Sequence, residues 1–429
     1  MKNFLEHLNT SNRILIGDGA NGTMLMRYGL VMGQSPEEFN LINPGAVERV
    51  HKEHKKAGAR LIKANTFGAN RIKLGKHNLD SKVREIVKEG VKIARAAAAG
   101  EAYVSLTVGP TGELMAPFGT LTFDTAYEVY KEQVLAGIEE GIDLVDIQTM
   151  GDLGELRAAI LAAKELGAPV SASMSFGSGG RSLMGTEPAT FAKVAANMTV
   201  NLAAANCLSP ENALEALEQI IPHFPGHCYV RPNAGVPTLV SGKTVYPMDP
   251  QEFAGWGKKF AEAGVDIIGG CCGTAPEHIE ALAGVLENKS KAVVPKSRME
   301  WIASAYEGLL AEKVFESNSC IVTSDDMAGD INFSGTQLLR YIKSFPSSEM
   351  GVLQLDMTGV PLNTVHDIVL YAQAATRKPL IFEVDSEEVL EHCLRYYAGI
   401  AGIINRGIAE EKVAHLIRHY GGIVLKTRG

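Results

Sequence analysis

At 429 residues the chain exceeds the usual size of a single hydrophobic core, and 46% hydrophobic residues with 44 glycines describe a compact α/β protein with many tight turns, not a disordered or fibrous one. A formal net charge of −8 without a lysine or arginine cluster argues against nucleic acid as a partner. Met1–Leu8 carries acid and histidine where a signal peptide needs an apolar core, no apolar run is long enough for a bilayer, and six cysteines are too few for a disulfide scaffold. A cytoplasmic protein without a membrane partner is expected, its cysteines used for metal, catalysis or burial.

In chain order, eight apolar runs recur through the first 285 residues: Ile14–Asp18, Leu61–Phe67, Tyr103–Gly109, Leu144–Met150, Pro169–Phe176, Val200–Cys207, Cys228–Gly235 and Val265–Cys272. Segments of helical periodicity, such as Pro44–Gly58, Ser81–Ala99 and Phe123–Gly141, separate them. Eight such alternations in roughly 250 to 300 residues predict a (β/α)8 TIM barrel, with an open doubly wound sheet as the alternative. The charged, proline-bearing stretch from Glu287 reads as a linker, and after it five further strand candidates alternate with helices. The expected organisation is a barrel over 1–288, a linker over 289–300 and a smaller α/β domain over 301–429, either a partial barrel or an open sheet. Apolar helix positions such as Leu338, Leu339 and Ile342 must pack within that domain, on the barrel or on a second copy of the chain, so a homo-oligomer is compatible with this reading.

Chemistry concentrates in the turns after the strands, where a barrel builds its active site. The most informative is Asp266–Thr274, with Cys271 and Cys272 bracketed by Gly269, Gly270 and Gly273. Adjacent strand residues face opposite ways, so the two cysteines can serve one metal only if the glycines let the backbone kink. Cys207 ends an earlier run and supplies a third sulfur, which makes an open zinc site with one position left for substrate. Packed thiols or a vicinal disulfide are the plainer alternative. Packing also suffices for Cys228, Cys320 and Cys393. Asp18 could cap a turn, Asn65 and Asn233 could be turn formers, and His51, His54 and His77 sit on polar helical segments and should face solvent.

Six motifs, Asp18–Thr23, Asn65–Ala69, Gly109–Gly112, Asn206–Cys207, Pro232–Gly235 and Gly269–Thr274, resemble in order and spacing the zinc-dependent homocysteine S-methyltransferases. That family includes the N-terminal module of cobalamin-dependent methionine synthase, to which Gly180–Thr186 is most similar. The resemblance implies Zn2+ held by Cys207, Cys271 and Cys272, with no catalytic group beyond the metal site. It further implies homocysteine held by Asp18 with the backbone of Gly19 and Ala20, and by Asn65, Gln148 and Asn233. The reaction implied is methylation of a thiolate to give methionine, with a methylcorrinoid supplied in trans by a corrinoid protein, since the chain lacks the signature of a cobalamin module. The family usually carries glutamate where this chain has Gln148. A carboxylate restored there is expected to tighten homocysteine binding through a charge-assisted contact. Two other readings stand beside this one: methyl transfer to a different small thiol, and a zinc-binding barrel serving as a non-catalytic interaction subunit. Residues 301–429 resemble half of a pterin-binding barrel, without the polar strand ends that folate would need.

Overall fold

The computed structural model describes residues 3–240, 243–297, 299–323, 335–345 and 350–426. The predicted eight runs form eight parallel strands: β1 (Leu15–Ile16), β2 (Leu61–Lys63), β3 (Tyr103–Val108), β4 (Leu144–Met150), β5 (Val170–Met174), β6 (Leu202–Asn206), β7 (His227–Arg231) and, beyond a small hairpin of β8 (Thr238–Val240) and β9 (Lys243–Val245), β10 (Ile267–Ile268). Their order is β1-β10-β7-β6-β5-β4-β3-β2. A parallel bridge from Gly17 to Leu61 joins the two ends of the sheet, and the ring is a (β/α)8 barrel.

Alternation along each strand divides the side chains between two cores. Ile62, Val104, Leu106, Val145, Ile147, Ala203 and Val230 face the helices. Leu15, Leu61, Tyr103, Leu144, Leu202, Tyr229 and Ile267 fill the lower interior, which Phe4 and Leu8 of the helix Phe4–Thr10 close from below. Above this layer the inward positions turn polar, with Lys63, Ser105, Asp146, Ser171, Ser173 and Arg231 all buried. The outer helices form for local reasons as well. Val83–Ala98 buries Val83, Ile86, Val87, Gly90, Val91 and Ala94, a spacing of three and four, and Asp249 caps Pro250–Ala263 by accepting from Gln251 and Glu252.

After an antiparallel pair, β11 (Trp301–Ala303) and β12 (Gly308–Leu310), a parallel sheet of β13 (Ser319–Val322), β14 (Val352–Asp356), β15 (Leu380–Val384), β16 (Gly402–Asn405) and β17 (Ile423–Val424) runs in sequence order. That is the singly wound order of a barrel wall, without the reversal of a doubly wound sheet. Leu338 and Ile342 of helix Gly335–Ser344 are buried within this unit. It rests on the barrel helices: Arg157, fully buried, donates to the carbonyls of Leu394 (2.9 Å), Tyr420 (3.0 Å) and Gly399 (3.4 Å). Asp124 pairs with Arg395 at 2.9 Å. Among the described residues no helix is long and apolar enough to cross a membrane.

Candidate metal centre and acceptor site

Cys207 follows β6, and Cys271 and Cys272 follow β10, the two strands that flank β7. The end of β7 organises both loops. Cys207 donates its amide to Arg231 O (3.1 Å) and Cys271 to Pro232 O (2.8 Å), while Cys272 donates to Asn233 Oδ1 (3.1 Å) and accepts from Ala234 at 3.0 Å. The strand stops at Ile268, so the adjacent cysteines lie in a turn where the alternation of a strand no longer separates them. Gly273 has φ +82°, and a Cβ there would lie 2.3 Å from Tyr246; at Gly270 it would meet the Thr274 side chain at the same distance.

The ligand atoms of Cys207, Cys271 and Cys272 all lie within 4.8 Å of one another, a group without a second example among the described residues, and all six cysteines are free. Thiolates about 2.3 Å from a tetrahedral zinc would stand about 3.8 Å apart, so the cluster fits the ion with a fourth position open. The thiols share hydrogen bonds. Those from Cys207 and Cys272, with Lys63 and Arg231 nearby, hold Cys271 well below the usual thiol range, and the bond to Cys271 pushes Cys207 up. For Cys272 the bond with Cys207 lowers the pKa, but Cys271 and burial outweigh it and push it to about 12. Tyr246 also hydrogen-bonds Cys272.

Gln148 lies at the inward end of β4, its Nε2 donating to Asp146 Oδ2 at 2.7 Å. The next residue, Thr149, is left-handed (φ +60°), as is Cys207 (φ +60°), costly backbones for residues with a Cβ. Asn206 braces the first: its Oδ1 accepts from Thr149 N (2.8 Å) and its Nδ2 donates to Thr149 Oγ1 (2.7 Å). Gln148 and Cys207 are thereby tied together through a single asparagine.

The remaining candidates have internal partners. Asp18, wholly buried, accepts from Lys63 N at 2.8 Å and pairs with Lys63 Nζ at 2.7 Å. The same ammonium donates to Gly19 O at 2.8 Å, and Ala20 donates its amide to Thr274 O at 3.1 Å. Asn65 spends its amide protons on Pro36 O (2.7 Å) and Asn40 Oδ1 (3.0 Å), and so braces two loops. His77 is exposed as expected, but His51 and His54 are fully buried against the Asp18 loop. Burial lowers the pKa of both, that of His51 to about 4. The signal was available: Val47, Val50, His51 and His54 occupy one helical face. Lys63, Asp146 and Arg231 were also missed, although charges inside strands buried on both faces must find partners.

The homocysteine S-methyltransferase family model matches residues 15–286. The chain belongs to this family. It is 30% identical over 306 residues to a methionine synthase of Mycobacterium leprae, covering 67% of this chain and 25% of that protein. With the methionine synthase of Mycobacterium tuberculosis the figures are 29% over 319 residues, 70% and 27%. The chain thus spans about a quarter of the length of these relatives. The homocysteine methyltransferase MmuM from Escherichia coli, in its metallated form, shares the fold with a TM-score of 0.57 at 23% identity, over 65% of this chain and 98% of that one.

Proposed function

We propose that the chain is a methyltransferase that acts on homocysteine to give methionine, with zinc held by Cys207, Cys271 and Cys272 and the methyl group arriving on a corrinoid protein. The observation that carries the reading is the convergence of three thiols at the mouth of a barrel that matches the family. Zinc, when bound, lowers the pKa of an acceptor thiol and keeps its sulfur nucleophilic at neutral pH.

The chain's own groups then bind and orient. Asn233 and the β7 backbone hold both cysteine loops, Asn206 holds Cys207 and Gln148 in register, and Gln148 meets the amino end of the acceptor. Asp18, with Lys63 and the Gly19 and Ala20 backbone, forms the floor, and Asn65 steadies the loop beside it. In the transfer the new S–C bond forms as the methyl–donor bond breaks, its electron pair staying on the donor, while the thiol proton has left for solvent. A bulky donor is supported by the rim. Met26, Met32, Phe118, Leu183, Val236 and Leu239, all on segments that follow barrel strands, are between 50% and 85% exposed. Exposed apolar surface around a single opening suits a macromolecular partner. We assign residues 1–288 to the catalytic barrel, 289–300 to the linker and 301–429 to a packing domain.

The test is zinc analysis followed by incubation of the zinc-loaded protein with homocysteine and, in turn, methylcobalamin, betaine, S-methylmethionine and methyltetrahydrofolate. Methionine is expected with methylcobalamin alone. Product from betaine or S-methylmethionine in its place would remove the corrinoid donor, and zinc retention without product from any donor would leave an interaction subunit.

A further inference from the structure

We propose that Asp146, clamped by Arg231, is a positioning residue that fixes the Gln148 amide with its nitrogen down and its carbonyl oxygen toward the acceptor. The inference rests on homocysteine as the acceptor for its ligand arm, and on the protein alone for its stability arm.

Asp146 and Gln148 are two apart on β4 and face the same way. Asp146 is wholly buried and Gln148 is 4% exposed. An ionised carboxylate only accepts, and a side-chain amide has one donating and one accepting end, so only the nitrogen of Gln148 can meet Asp146. Arg231, itself buried, binds both oxygens of that carboxylate, with Oδ2 shared between the guanidinium and the Gln148 amide. The opposite pole, Oε1, takes no protein partner among the described residues. It belongs to the residue preceding the left-handed Thr149, which Asn206 ties to Cys207. An acceptor held at the three sulfurs therefore meets a fixed hydrogen-bond acceptor without net charge, because the charge of Asp146 is already matched by Arg231.

This reverses the expectation for a carboxylate at position 148. Gln148→Glu would set a second carboxylate against Asp146, about 3 Å away in the barrel interior with one guanidinium between them, and like charges so placed repel strongly. Only with Asp146→Asn, whose amide can donate, does the exchange become favourable.

Two measurements on the zinc-loaded full chain test this. Thermal denaturation without ligand is expected to show Gln148→Glu melting several degrees below the parent, and Asp146→Asn/Gln148→Glu melting above the Gln148→Glu single variant. Calorimetric titration with homocysteine and with 4-mercaptobutyrate, which lacks the amine, is expected to show Gln148→Glu weakening homocysteine about tenfold and the double variant restoring it. Asp146→Asn, which frees the amide to turn over, should weaken homocysteine several-fold more than 4-mercaptobutyrate. A Gln148→Glu protein that melts like the parent and binds homocysteine more tightly would overturn the proposal, as would equal losses for the two thiols in Asp146→Asn. If Asp146→Asn does not fold, Gln148→Glu, which keeps the Asp146–Arg231 pair, still decides. Failure of the parent to bind either thiol removes homocysteine as the acceptor, while the melting comparison continues to judge the amide orientation.

Discussion

The eight-stranded ring and the five-stranded sheet are built from the same strand–helix unit, and both carry polar side chains at the carboxyl ends of their strands. In the ring, closure brings β1 beside β10, so that Gly270 N donates to Asp18 O at 2.9 Å and groups more than two hundred residues apart share one mouth. In the sheet the strand ends lie in a row, and neighbours neutralise each other: Gln354 donates to Glu383 at 2.7 Å, Arg406 pairs with the same carboxylate at 2.6 Å, and Asp356 accepts from Thr358. Closure lets groups from distant strands converge on one mouth. An open edge offers no such convergence, so its polar groups serve the sheet itself.

The sharpest way to break this contrast is at the sulfurs. Cys207→Ser or Cys271→Ser is expected to lower zinc from about one per chain to near zero, whereas Cys228→Ser, on the helix-facing side of β7, should retain it; metal analysis by mass spectrometry decides, and full zinc in Cys271→Ser would undo the assignment. Next in size is the contact between the two units. Arg157→Ala leaves a cavity and three carbonyls without their donor, an expected loss of about 3 kcal/mol. Urea denaturation reads it, and an unchanged midpoint would mean that the sheet does not depend on this arginine.

A third effect is set by pH. The folded pKa of His51, about 4, lies below the unfolded value of about 6.5, so the unfolded state binds more protons as pH falls. Its neutral burial costs nothing above pH 6.5 and becomes a growing penalty between 6.5 and about 4. The expected loss is about 2 kcal/mol from pH 7 to pH 5. His51→Gln should flatten that slope; if the slope persists, other groups carry it. The smallest effect belongs to the open sheet, where Arg406, half exposed, pairs with Glu383. Arg406→Ala is expected to cost less than about 1 kcal/mol, and a larger loss would show that the row of strand ends is more than self-neutralising.

Much of this architecture is legible from sequence for local reasons. Each barrel strand begins or ends within a few residues of an apolar run, because strands buried on both faces need continuous hydrophobicity and their turns need glycine, asparagine or proline. The cysteine turn was legible for the same reason: Gly270 and Gly273 stand where a Cβ would collide with Thr274 or Tyr246. The hairpin β8–β9 was not, since it is a short excursion within one loop. Nor was the second role of Asn206, because a side chain that holds a left-handed turn on another strand leaves no mark near itself in the chain.

The sequence by itself determined the strand–helix alternation of the barrel, the family and the three cysteines, since these depend on periodicity, turn chemistry and motif spacing. Only the tertiary structure decided what stands opposite what across the ring. It put Lys63 on Asp18, Arg231 on Asp146, Asp146 under Gln148, and the buried His51 and His54 against the Asp18 loop. Alternation says that a charged residue points inward; it does not say which residue meets it there. That partner is fixed by barrel closure and register, and in a low-dielectric interior the partner determines whether an inward group keeps its charge, turns its amide or stays neutral.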